Sequence, residues 1–293
     1  MNDQPSFLQG TLWKVGLFPI IRLVLALLFV AIPVALIQVI VKSLADPAYG
    51  SLVFTCLVVP AAFGSYWGYV RLVERRPVAE LAFAGSLKEF GFGLMIGTSL
   101  FTITIGILWG AGFYHVIGTN GWIVLVESVS LAVMSGFIEE LITRGIIFRI
   151  IEESLGTWIA LVFSALLFGS MHLANPHATL FSAAAIALEA GLLLGACYIL
   201  TRRLWLAIGL HLAWNFVQGG IFGVAVSGTP PHGLLVSNIT GPEILSGGSF
   251  GAEASIVAVV VCVTGFLVVI MRARKKGQII QPFWLRSATI HST

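Results

Sequence analysis

The stretch Ser135-Gly-Phe-Ile-Glu-Glu-Leu-Ile-Thr-Arg-Gly-Ile-Ile-Phe-Arg149 decides how this chain is read. Glu139, Glu140 and Arg144 interrupt a segment otherwise free of charge from Val129 to Phe148. On insertion scales a charge at the middle of a membrane helix costs about 2.5–3.5 kcal/mol, so three together require partners, a water-filled cavity, or both. On a helix, Glu140 and Arg144 are four apart and share a face, while Glu139 is turned about 100° away. One glutamate can therefore be held by the arginine while the other faces a substrate or a second helix.

The surroundings of this stretch are those of a membrane protein. Of 293 residues, 58% are hydrophobic and 10% charged, against about 25% charged in soluble domains, and the mean hydropathy is +0.98. Taking about twenty apolar residues per span, eight helices are expected: Leu17 to Val41, Ser51 to Val70, Phe90 to Ala111, Trp122 to Arg144 or beyond, Trp158 to His172, Leu180 to Leu200, Leu204 to Val226, and Ser255 to Met271. The reading is an all-α polytopic protein, one integral membrane domain over residues 1–293, with no soluble domain and no nucleic-acid partner. Cys56, Cys197 and Cys262 stand singly in apolar segments and suggest neither disulfides nor a thiolate metal site. The first apolar run has no small-residue cleavage site after it and reads as a retained anchor.

Lysine and arginine orient the spans. Lys14, Arg71, Arg75, Arg76, Lys88, Arg149, Arg202, Arg203, Arg272, Arg274, Lys275, Lys276 and Arg286 fall on one side, and the opposite connections carry only Lys42. The expectation is a multi-pass protein of the plasma or inner membrane with both termini cytoplasmic. Arg71 to Glu89 reads as a solvated connection in which Pro77 could open a short interfacial helix. Ser227 to Ala254, with Pro230, Pro231 and six glycines, reads as an irregular loop without chemistry. Gly91, Gly93, Gly97, Gly191 and Gly195 suit close helix packing, and Arg22 is expected to snorkel to the interface.

Two further polar interruptions complete the pattern. His172 closes Phe168-Gly-Ser-Met-His172 ahead of Asn175-Pro176, and His211 and Asn215 share one face of the seventh helix. A carboxylate that takes a proton from water, an imidazole that orients it and neutral donors for an oxyanion make a hydrolytic set. Histidine and glutamate could equally ligate zinc. Each histidine alone, and Asn215 above all, could instead bond a neighbouring helix. Glu189, mid-span in the sixth helix with no charged residue within a turn, could sit behind the site, pair with Arg144 or be neutralised.

Three motifs in order, Glu139-Glu140-x-x-x-Arg144, Phe168-x-x-x-His172 and His211-x-x-x-Asn215, resemble those of the CPBP (CAAX-protease and bacteriocin-processing, or Abi) intramembrane proteases, which include the eukaryotic prenyl-protein endoprotease. The similarity covers a core of about residues 60–225, and Phe168-Gly-Ser-Met-His-Leu-Ala-Asn-Pro176 and Leu204 to Phe216 look like bacterial members. The resemblance implies eight helices around a polar chamber open to the cytoplasm and cleavage of a membrane-associated peptide or protein. It also implies Glu140 as the general base with His172, and His211 with Asn215 for the oxyanion. Glu139, Arg144, Phe168 and Glu189 would support them. No cofactor is obligatory on this reading, with Zn²⁺ on Glu140, His172 and His211 as the alternative. At 1.5 Å per residue His211 lies roughly 10 Å deep and His172 roughly 21 Å, so the two meet only if the fifth helix starts inside the bilayer or tilts, or if Gly145 to Glu153 bends away. An ion-coupled transporter and a non-catalytic immunity or binding protein of the same fold are the competing readings.

Overall fold

The computed structural model describes residues 18–44 and 50–286; Lys14 lies outside them. Among the described residues seven helices are long and apolar enough to cross a membrane: α1 (Pro19–Leu44), α2 (Gly50–Glu74), α3 (Ser86–Gly110), α4 (Trp122–Leu155), α5 (Thr157–Ala174), α6 (Leu180–Thr201) and α8 (Ile256–Lys275). The eighth expected helix, α7, is shorter, with an 11-residue α-helical part, Trp205–Asn215, continued by 6 residues of wider turns, Phe216–Ile221. The protein is an all-α polytopic membrane protein.

Burial orders the helices. In α6, 72% of the most apolar window is buried, against 17% in α1, so α6 is interior and α1 presents most of its surface to lipid. α7 lies against α3 through glycines. A Cβ at Gly97 would stand 2.3 Å from the Leu210 carbonyl and one at Gly209 2.3 Å from that of Phe90, so only glycine permits this approach. Gly93, Gly191 and Gly195 are also close-packed, whereas Gly91 has no neighbour within 4 Å.

The basic end is closed by buried ion pairs. Glu74 takes Arg22 at 2.8 Å, Arg76 at 2.7 Å and Arg149 at 2.9 Å. Glu80 takes Arg76 at 2.6 Å and the Tyr66 hydroxyl. Burial would raise the Glu80 carboxyl, but its hydrogen bonds and charge pairing with Arg76 outweigh this and hold it below the usual value. Arg71 to Glu89 is therefore anchored by Glu74 and Glu80 while much of its surface stays exposed, and between Pro77 and the start of α3 there is only a single 3₁₀ turn, Ala79–Leu81. Arg22 is ion-paired with Glu74 and Glu153, so it does not merely snorkel. Gly145 to Glu153 stays within the 34-residue α4, pinned by the Arg149 side chain to Glu74 and Glu153.

At the other end a strand, β1 (Tyr114–Thr119), pairs antiparallel with β2 (Leu235–Ile239). Ser227 to Ala254 is thus not irregular throughout: it holds β2, a short helix Glu243–Ser246 and a 3₁₀ turn Ala252–Ala254. Because α7 spans only roughly 25 Å, the chain after it folds down onto the end of α5. Gly228 permits this: its φ is +80°, and a Cβ there would lie 1.9 Å from the Pro176 carbonyl oxygen.

Candidate active site

Glu139, Glu140, Arg144, Glu189 and Asn215 lie on or beside π-helical turns: Ser135–Glu139 and Leu141–Phe148 in α4, Ala187–Gly191 in α6 and Phe216–Ile221 in α7. Such turns insert a residue into a helix and re-aim the side chains around it, and they concentrate at functional sites.

Glu140 and Arg144 are both 0% exposed and bonded to each other at 2.8 Å. Arg144 also donates to Thr143 Oγ1 and to the carbonyls of Ala190 and Gly191 on α6, and its guanidinium stacks 4.8 Å from the Phe168 ring. The same Glu140 oxygen accepts from His211 Nδ1 at 2.9 Å. Glu140 thereby carries two charge-assisted bonds in a dry setting, the kind that fix geometry most strongly. Arg144 thus holds Glu140, with which it shares a helix face, together with the two carbonyls, and it makes no bond to Glu189.

Glu139 takes the other direction. Its side chain is 35% exposed, with Oε2 3.9 Å from His211 Nε2. It lines a cavity of about 130 Å³ together with Phe168, His172, Glu189, His211 and Asn215. Of the adjacent acids it is Glu139 that reaches this space, the reverse of the division of labour expected from the motif. The reason is conformational: Glu139 ends one π turn and Glu140 precedes the next, so their directions follow from the wide turns and the packing of α4.

The two histidines meet across Phe168, whose ring centroid is 4.8 Å from that of His172 and 5.9 Å from that of His211. The depth mismatch is thus resolved, with His172 in the 3₁₀ turn that ends α5. His172 Nδ1 lies 2.7 Å from the Phe168 carbonyl oxygen. A carbonyl only accepts, so Nδ1 carries the hydrogen and the neutral ring keeps a lone pair on Nε2. Asn215 donates at 2.7 Å to Ser135 Oγ, whose own hydroxyl donates to the Leu131 carbonyl. This fixes the amide orientation and leaves its second N–H free for the cavity.

Two acids close the far side. Glu189 is 2% exposed and its Oε2 has no protein partner among the described residues. Glu253, also 2% exposed, descends from the connection before α8 and accepts the Ser227 N–H. Burial pushes the Glu253 carboxyl up, against the opposing effects of the Ser227 bond and of His172. Sequence reasoning missed Glu253 and assigned its segment no chemistry. The available signal was one acid directly before the apolar run of α8.

Among the described residues no three His, Cys, Asp or Glu side chains are grouped so as to hold one metal ion. Glu140 is committed to Arg144 and His211 Nδ1, so the set Glu140, His172, His211 does not fit zinc.

The lining of the cavity from outside the helices comes from Asn175, Val226, Ser227, Thr229 and Glu253, all in connections without lysine or arginine. Toward the basic end the site is backed by Leu141, Arg144 and Ile146, each 0% exposed. The residues that the connections add to the chamber therefore come from the end opposite the basic one.

No curated protein and no solved structure matches the chain. Residues 120–217 match the family described as type II CAAX prenyl endopeptidase Rce1-like. That segment runs from the start of α4 into the wide turns of α7 and carries all three motifs, which supports the resemblance to the CPBP intramembrane proteases over this part of the chain.

Proposed function

We propose that this protein is an intramembrane endopeptidase in which Glu139 activates the hydrolytic water. The observation that carries the assignment is that Glu139, and not Glu140, shares the cavity with His172, His211 and Asn215. Glu139 accepts a proton from water oriented by His172 Nε2, and the hydroxide adds to the peptide carbonyl carbon. The oxyanion so formed accepts from the free N–H of Asn215 and from His211 Nε2. Nε2 of His211 can donate only when the ring is doubly protonated, and Glu140 on Nδ1 and Glu139 near Nε2 supply an acceptor at each end. Collapse of the intermediate breaks the C–N bond, and the proton held by Glu139 passes to the leaving amine.

Arg144 pairs with Glu140 and joins α4 to α6; its permanent charge makes it unsuited to proton transfer. Phe168 spaces the histidines. A transporter would need access from both faces, whereas the connections that line the cavity belong to one. The test compares membrane peptides from cells expressing the wild-type protein or Glu139→Gln. Fragments present only with the wild type support the reading. Identical fragments from both overturn it.

A further inference from the structure

We infer that the segment from Arg272 to Arg286, where the chain leaves α8 at the basic end, is a platform for the anionic headgroups of the lipid leaflet around it. The inference is independent of the peptidase reading and of which face of the membrane the basic end occupies.

A surplus of charge is the first observation. At this end Glu74, Glu80, Glu89, Glu152 and Glu153 are each already paired with an arginine. Arg272, Arg274, Lys275 and Lys276 are all exposed, and none of them has an ion pair among the described residues. The C-terminal end of a helix dipole favours cations, but one helix end does not neutralise four of them. Arg272 lies three and four residues from Lys275 and Lys276, spacings at which like charges on a helix repel each other. Their counter-charge has to come from outside the protein, and four basic residues directly after a membrane span match an anionic lipid surface.

The second observation is how the following residues are held. Gly277 turns the chain off α8 with φ +68°, and the Gln278 N–H returns to the Ala273 carbonyl at 3.0 Å, the usual glycine-based end of a helix. The chain is then pinned to the corner between α4 and α5. Arg202 donates to Gln278 Oε1 at 3.2 Å. The Thr157 N–H donates to the Ile280 carbonyl at 2.9 Å, and the Ile280 N–H to Thr157 Oγ1 at 2.8 Å. Arg286 donates to the Glu153 carbonyl at 2.7 Å. Pinned in this way, the short helix Phe283–Arg286 presents an apolar tip. Phe283 is 60% exposed, Trp284 49% and Leu285 53%, and the two aromatic rings meet edge to face at 5.1 Å.

Seven residues separate Lys276 from Phe283, so the charges and the apolar tip lie at most roughly 25 Å apart. Cations that bind headgroups beside aromatic side chains that enter the interface are the two parts of a membrane-surface contact. Because the backbone between them is fixed to α4 and α5, the contact is already formed before lipid binds. A free anion would use the charges and leave the apolar tip unoccupied, so the partner is a lipid headgroup with its chains attached.

The test is native mass spectrometry of the full-length protein, purified in detergent and given equal amounts of dioleoylphosphatidylglycerol and dioleoylphosphatidylcholine. The acyl chains are identical, so the ratio of retained lipids reads the headgroup alone. The wild type is expected to retain phosphatidylglycerol over phosphatidylcholine by about tenfold. Arg272→Gln, Arg274→Gln, Lys275→Gln and Lys276→Gln combined should abolish that preference. Arg71→Gln with Lys88→Gln, which removes two exposed charges at the same end, should leave it. Phe283→Ser with Trp284→Ser should lower retention of both lipids and keep their ratio. No preference in the wild type, or equal loss in the Arg71 and Lys88 variant, would overturn the platform. Loss of the preference in excess inorganic phosphate would overturn the lipid as partner, and unchanged retention by the Phe283 and Trp284 variant would overturn the role of the apolar tip. If the quadruple variant does not accumulate, its Arg272/Arg274 and Lys275/Lys276 halves are read separately. Each half should lose about threefold, and no loss in either overturns the inference.

Discussion

Replacing Glu139 or Glu140 by glutamine changes one atom in either case, yet the structure predicts opposite consequences. Glu140 Oε1 accepts from Arg144 at 2.8 Å and from His211 at 2.9 Å, with the glutamate and arginine both fully buried. Each charge-assisted bond is worth about 1.5–3 kcal/mol, and removing one partner of a buried ion pair costs about 3–5 kcal/mol because the other charge is stranded. Glu140→Gln should therefore lower stability by about 3–5 kcal/mol and release the His211 ring. Glu139 is 35% exposed and stands 3.9 Å from His211 Nε2, so Glu139→Gln should change stability by less than about 1 kcal/mol. Its turnover should fall by about 10²–10⁴-fold, the usual contribution of a general base. The assay is denaturant unfolding of the detergent-solubilised proteins beside cleavage of a peptide identified by the membrane-peptide comparison. Unimpaired cleavage by Glu139→Gln, or wild-type stability of Glu140→Gln, would refute the assignment.

Arg144→Lys should lose the simultaneous contacts to Glu140, Thr143, Ala190 and Gly191, since a point charge cannot reproduce the planar fork; reduced folded yield and activity are expected, and a fully stable, active variant would contradict it. Asn215→Ala should reduce kcat by about 10²–10³-fold with little change in KM, as for one oxyanion donor; a pure KM effect would assign Asn215 to binding instead. Glu253 has a folded pKa raised above its unfolded 4.5, so the folded state binds its proton more tightly. That contribution is full below about 4.5 and is lost as pH rises to the folded value, so Glu253→Gln should stabilise the protein at neutral pH and not at pH 4, measured by thermal unfolding. Because the donors do not gather into a metal set, a zinc chelator should leave cleavage unchanged, and loss restored by added zinc would disprove this.

The membrane class, the approximate helices and the polar set were legible in the sequence because each rests on local composition. Lipid requires apolar runs of about twenty residues, so Glu139, Glu140, Arg144, His172, Glu189, His211 and Asn215 stand out against them whatever their neighbours. The spacing of His211 and Asn215, or of Glu140 and Arg144, needs only a helical period. Which glutamate faces the cavity was not legible, because a π turn shifts that period and arises from packing between α4, α6 and α7. Glu253 escaped notice because its role depends on a connection that folds down over a short α7 through Gly228. Which connections complete the chamber was likewise a tertiary outcome. Charge counting orders the spans relative to the membrane, but only the packing of the connections decides which of their side chains reach the site.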